Sequence, residues 1–191
     1  MAWEDLPVEV GGALKRSLVS EQGHICCYCG PRIVSSDYHI EHLVPRHGAG
    51  WSAALTFVYA NLLASCQANL GRKDPRHCGT AKGDWYNDTL VVSPLDPVCE
   101  GRFFYDLEGK VRGADPADQG AKETIVRLDL DGPRLRALRR KVIEALDIEL
   151  DLLPDERRAL LAAHEARDAE GRFDSFCFVL AATLRDLYGE G

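Results

Sequence analysis

An α+β fold is what this sequence predicts, on three observations. A Cys- and His-dense segment contains a strand-like alternation, a short hairpin pattern follows it, and amphipathic helical patterns stand at both ends. At 191 residues, with 46% hydrophobic and 28% charged residues, the chain has the size and composition of an ordinary globular protein. No run approaches the roughly 20 apolar residues of a membrane helix, and Met1 to Leu6 lacks the basic-then-apolar pattern of a signal peptide. The expectation is a cytoplasmic protein with no membrane partner. Its seven cysteines are then thiols available for metal binding or inert burial before disulfides.

The elements follow in order. Val10, Leu14 and Leu18 predict an opening helix over about Val8 to Glu21, ended by Gly23. The segment from His24 to Asp84 holds five of the six histidines and, beside Cys27, four of the seven cysteines. Within it, Tyr38 to Val44 alternates as a strand. Tyr38, Ile40 and His42 fall on one face, His39, Glu41 and Leu43 on the other, and Pro45 closes the run. Phe57 to Ser65 reads as a short helix or buried turn, and Gly71 to Arg76 as a loop.

After Trp85 the residues Val91-Val92, Phe103-Phe104-Tyr105 and Lys110-Val111, with Glu108-Gly109 between the last two, read as a small strand-rich flap ending in a hairpin. Asp131 is placed to cap a helix with Pro133 in its first turn, followed by Leu135, Leu138, Val142, Leu146 and Leu150. Further helices are expected over about Pro154 to Ala169 and Asp174 to Tyr188.

Cys26 and Cys29 form a C-x-x-C knuckle whose tight turn can converge two thiolates on one ion, and Cys66 and Cys78 can complete a four-cysteine structural Zn2+ site. Against this, Cys66 and Cys78 could be plain buried thiols. A redox role for the knuckle lacks its βαβ context. Cys27, Cys99 and Cys177 read as packing residues.

Between the two halves of this clamp lie His39-Ile40-Glu41-His42-Leu43-Val44-Pro45, then Asn61-Leu62-Leu63, then Cys78 with Lys82 four residues on. This ordered set resembles the HNH endonucleases, and over nearly the whole chain the pattern is similar to the HNH subunit of Septu and retron-associated anti-phage systems. The resemblance implies a zinc-bound ββα-metal nuclease core with an N-terminal helix and a hairpin flap over residues 1–115. Residues 116–191 would be a helical extension able to dock a partner.

Phosphodiester hydrolysis needs a base for water, a cation at the phosphate and something to orient them. His42 suits the base, because imidazole titrates near neutrality. Glu41, projecting to the other side of the strand, suits Mg2+ or another divalent cation. The resemblance implies that Asn61 holds the active-site loop or orients the base, and that Lys82 lies near a phosphate. An isolated Glu-His pair would be a surface ion pair, an isolated Asn a cap and an isolated Lys a solvated charge. Only the ordered set outweighs those readings.

One position departs from the family. Where Asn or His usually follows the last knuckle cysteine as a metal ligand, this chain has Gly79, and His39 or Asp84, then His77, are the candidates to replace it. The resemblance also implies a DNA substrate and an ABC-type ATPase partner. The net charge of −7 argues against tight autonomous DNA binding. Arg134, Arg136, Arg139, Arg140 and Lys141 form a basic run that is either a solvated helix face or a DNA- or partner-facing stripe. The alternatives are a zinc-ribbon module without catalysis that recruits nucleic acid or a partner, and an RNA (tRNA) nuclease.

Overall fold

The structure, a computed structural model, describes residues 2–34, 37–48, 50–67, 69–71, 73–146 and 152–189. Helix α1 (Val8–Glu21) buries Leu18 and Val19. Its end is stitched to the centre of the molecule by Gln22, which donates to Ala64 O and accepts from Ala64 N at 2.9 and 2.7 Å. Strand β1 (Tyr38–His42) pairs antiparallel with β2 (Leu62–Cys66), His42 opposite Leu62 and Tyr38 opposite Cys66.

Strand β2 corrects the helix or turn expected over Phe57 to Ser65. Leu62 to Ser65 are all buried, so the run shows no in-out alternation, and a short apolar stretch buried on both faces carries no period. Only Tyr59–Asn61 coils, as one 3-10 turn.

Helix α2 (Gly79–Lys82) is a single turn following Cys78. Strands β3 (Phe103–Tyr105) and β4 (Val111–Gly113) make the expected hairpin, whereas Val91-Val92 is not a strand. Helix α3 (Gln119–Arg127) is capped by the Asp118 carboxylate on Ala121 N. It was not expected; its buried face is made of Gly120, Ala121, Thr124 and Ile125, of which only Ile125 is a large apolar residue.

Helix α4 (Pro133–Glu144) starts at Gly132 rather than at Asp131. The Asp131 carboxylate instead accepts from Val111 N at 3.0 Å and from Arg136, tying the hairpin to the helix. Leu150, assigned to this helix by its spacing, lies outside the described residues. Helices α5 (Pro154–Glu165) and α6 (Cys177–Tyr188) are both shorter than expected. The segment before α6 is used in bonds to the knuckle region instead, Phe176 N to Gly30 O at 2.8 Å and Arg32 Nη2 to Phe173 O at 2.6 Å.

The main core gathers Leu18, Val19, Ile33, Leu62, Ala64, Val111, Ile125, Leu128, Leu130 and Leu135 around Cys26, Cys29 and Cys78. It thus draws on both sides of residue 115. A second cluster packs α4 against α6 through Ile143, Val179 and Leu180, and a third packs α5 against α6 through Leu161 and Leu184. Fully burying side chains of this size contributes on the order of 1.5–3 kcal/mol each.

The basic run on α4 keeps Arg134, Arg140 and Lys141 exposed but is partly engaged. Arg139 is buried with its Nε on Gly109 O at 2.7 Å, Arg136 pairs with Asp131, and Arg140 pairs with Glu144. No helix among the described residues is long and apolar enough to cross a membrane.

Candidate active site

The knuckle turns at Gly30, whose φ of +83° only glycine adopts without strain and whose missing Cβ makes room for the Phe178 ring. Cys27 N donates to Ala64 O, hanging the knuckle on β2. Across from it, Cys66 ends β2 and Cys78 opens α2. The loop joining them is closed by the buried Gln67, which accepts from His77 N and Thr80 Oγ1 and donates to Pro75 O. Cys78 itself is held at φ +57°, a region sparse for a residue with a Cβ.

The Sγ atoms of Cys26, Cys29, Cys66 and Cys78 all lie within 4.8 Å of one another. Cys29 and Cys66 are 3.7 Å apart, far beyond a disulfide at about 2.05 Å and close to the about 3.8 Å edge of a tetrahedron with Zn–S bonds of about 2.3 Å. Burial alone would push the Cys26 thiol up, but hydrogen bonds from the neighbouring thiols outweigh it and hold Cys26 well below the ordinary thiol value. The donor set is all sulfur and mostly buried, and it could hold a metal ion such as zinc. His77 borders this cluster, Nδ1 at 3.2 Å from Cys78 Sγ, rather than the Glu41 site.

On the adjoining face of β1, Glu41 is buried beneath three partners. Its Oε1 takes Lys82 Nζ at 2.8 Å and the Tyr28 hydroxyl at 3.2 Å, and its Oε2 lies 3.4 Å from His39 Nε2. The strand alternation puts His39 and Glu41 on one side, as expected. Burial would raise the Glu41 carboxyl, but the His39 hydrogen bond and the Lys82 charge outweigh it and keep it below the usual carboxylate range. The Tyr28 hydroxyl is pushed well above its ordinary value by burial and the Glu41 charge, so it remains a donor.

Gly79 is the floor of this site. A Cβ there would come within 2.3 Å of Glu41 Oε2 and 2.8 Å of His39 Nε2. The carboxylate and imidazole fill the volume that a side chain at 79 would need.

His42, on the other face of β1, is also buried. Its Nε2 is 3.1 Å from Thr56 O, and since a carbonyl only accepts, Nε2 carries the proton and Nδ1 the lone pair. Burial holds the imidazole below its ordinary value of 6.5, against an opposing pull from the Thr56 carbonyl. Trp3 sets its ring edge-on to His42 at 4.5 Å, and Arg46 covers Trp3 while pairing with Glu4.

Asn61 is buried and fully engaged. Its amide accepts from Val44 N at 2.8 Å and donates to Val44 O and Leu55 O at 3.0 and 3.2 Å, pinning the chain just after β1 to the turn before β2. Lys82, expected beside a phosphate, is buried, with its ammonium on Glu41 and on His42 O at 3.0 Å. Asp84 is exposed and packs beside Gly48. Tyr28, Gln67 and Thr56 were not singled out from sequence. For Tyr28 a signal existed in its place between the knuckle cysteines; a carbonyl such as that of Thr56 has none.

These features define a class: a small α+β protein in which one antiparallel hairpin carries a glutamate, a histidine and a pinning asparagine inside a four-cysteine clamp able to hold metal. No protein-family model matches the chain. Over 130 residues it is 31% identical to "Retron Vc95 putative HNH endonuclease" of Vibrio cholerae serotype O1 biovar El Tor. The match covers 65% of this chain and 60% of that relative. The resemblance to HNH endonucleases, in a retron context, is thereby borne out.

Proposed function

We propose that this chain is a metal-dependent HNH endonuclease that hydrolyses phosphodiester bonds of DNA. Its core would be the ββα-metal unit β1, β2 and α2, with Zn2+ in the cysteine clamp. What carries the reading is the pairing on β1 of a buried Glu41 with a neighbouring His42 whose tautomer a backbone carbonyl fixes. The name of the Vibrio relative supports it.

In this reading His42, neutral at pH 7, takes the proton of an attacking water at Nδ1. The water oxygen forms the new bond to phosphorus, the P–O bond to the leaving strand breaks, and that oxygen is protonated from solvent. Thr56 O holds the ring in place and Asn61 holds the loop that frames it. Glu41 Oε2 and His39 Nε2 would hold Mg2+ or another divalent cation, a mixed oxygen and nitrogen pair that suits an ion keeping several waters. When bound, that ion would offset charge on the scissile phosphate and leaving oxygen. Lys82 acts through Glu41 and not on the phosphate directly.

The nicking of plasmid DNA tests this. Divalent-dependent cutting by the wild type should fall about 10²- to 10⁴-fold in His42→Ala, with zinc content unchanged. Cutting that survives in His42→Ala would remove the base assignment, and cutting of RNA alone would move the substrate to RNA. The zinc-module reading draws on Lys82 occupying Glu41, and an absence of cutting with every divalent ion would favour it.

The net charge of −7 leads us to keep a partner in the proposal. DNA would be held by an ABC-type ATPase in a cytoplasmic anti-phage complex, docked through residues 116–191. Co-purification with that ATPase at about 0.15 M salt checks it. Efficient cutting by a monomer that ignores the ATPase would exclude it.

A further inference from the structure

Two donors converge on one oxygen of Glu41. Lys82 reaches Oε1 on a buried four-carbon stem, and its ammonium is shared with His42 O at 3.0 Å. Tyr28 reaches the same Oε1 from a rigid ring with only two side-chain torsions, set in the turn between Cys26 and Cys29. A single donor at Oε1 leaves a carboxylate able to rotate about its terminal torsion. A second donor from a fixed turn locks its plane, which keeps Oε2 aimed at His39 Nε2 above the bare Cα of Gly79.

We propose that Tyr28 is a positioning residue through which the four-cysteine clamp sets the geometry of the divalent-ion ligand Glu41. The inference rests on Glu41 being that ligand. It makes the clamp more than a staple, because the turn that converges Cys26 and Cys29 also carries the hydroxyl that orients Glu41. Tyr28 also packs partly buried against the main core, and Phe preserves that packing while removing only the hydroxyl.

The test uses full-length, zinc-loaded protein and the binding of Mn2+ followed by electron paramagnetic resonance, without nucleic acid. Partners of a ligand's own hydrogen bonds typically matter by roughly 10–100-fold in metal affinity. In Tyr28→Phe the Mn2+ dissociation constant should rise about tenfold. Zinc content and melting temperature should match wild type, and cutting at saturating Mn2+ should be largely recovered. Glu41→Ala is measured beside it. Wild-type Mn2+ affinity in Tyr28→Phe with lost affinity in Glu41→Ala overturns the role of Tyr28 and leaves Glu41 as a ligand. Unchanged affinity in Glu41→Ala overturns both. Zinc loss in Tyr28→Phe would make the hydroxyl a requirement of the fold and would also overturn the proposal.

Discussion

The four-cysteine cluster and the Glu41 site are neighbours built on the same hairpin, yet they hold together for opposite reasons. In the cluster, soft and mostly buried sulfurs converge within 4.8 Å and could together hold one metal ion. Around Glu41, charge is already satisfied by Lys82, Tyr28 and His39, with one oxygen left beside an imidazole. A buried ion pair contributes little net stability, but removing one partner strands the other's charge. With a metal bound, the cluster would fix the fold, whereas the Glu41 site is a polar site that the fold holds in place.

The largest effect that would sharpen this contrast belongs to the cluster. Cys66→Ser should lose bound metal and with it the cooperative melt, since apparent zinc-binding energies of about 10–16 kcal/mol rival a whole domain's stability. Elemental analysis and a circular-dichroism melt check it. A metal-free protein that melts like wild type would erase the distinction.

Lys82→Met should come next. It leaves buried Glu41 without its cation and is expected to cost about 3 kcal/mol, read as a lower denaturation midpoint with zinc content intact. An unchanged midpoint would mean that Tyr28 and His39 suffice to hold the carboxylate.

A subtler break is Gly79→Ala. The Ala Cβ would collide with Glu41 Oε2 and His39 Nε2. The carboxylate must then shift against Lys82 and Tyr28, so stability should fall, by less than in Lys82→Met, while divalent affinity falls. A parallel His39→Ala should also weaken divalent binding, whereas exposed Asp84→Ala should not. The opposite pattern would move the ion away from His39.

The smallest effect is on pH dependence. Burial lowers His42 below its ordinary 6.5, so the unfolded chain binds the proton more readily than the folded one. Its stabilising share is complete above 6.5 and is lost as pH falls through the lowered value. Glu41, held below its ordinary 4.5, adds a second loss further into acid. Melting temperatures taken down this range should decline in that order, and His42→Ala should flatten the first step.

What is local or ordered along the chain could be read from residue order alone. The four-residue apolar spacing placed α1, the alternation placed β1 with His39 and Glu41 together, and the Cys26, Cys29, Cys66 and Cys78 set was legible from spacing and sulfur chemistry. The tertiary structure decided what depends on burial from outside an element. Leu62 to Ser65 became a strand because both faces are covered, and α3 buries a face in which Ile125 is the one large apolar residue beside Gly120, Ala121 and Thr124. Asp131 left the helix cap for Val111 and Arg136, and Lys82, expected beside a phosphate, is buried against Glu41. Gly79, which in sequence looked like a missing ligand, is in three dimensions the space that Glu41 and His39 occupy. Spacing along a chain records which side chains can meet, but which charges meet is settled by desolvation, where a buried carboxylate takes whatever donors the packed neighbours bring within reach.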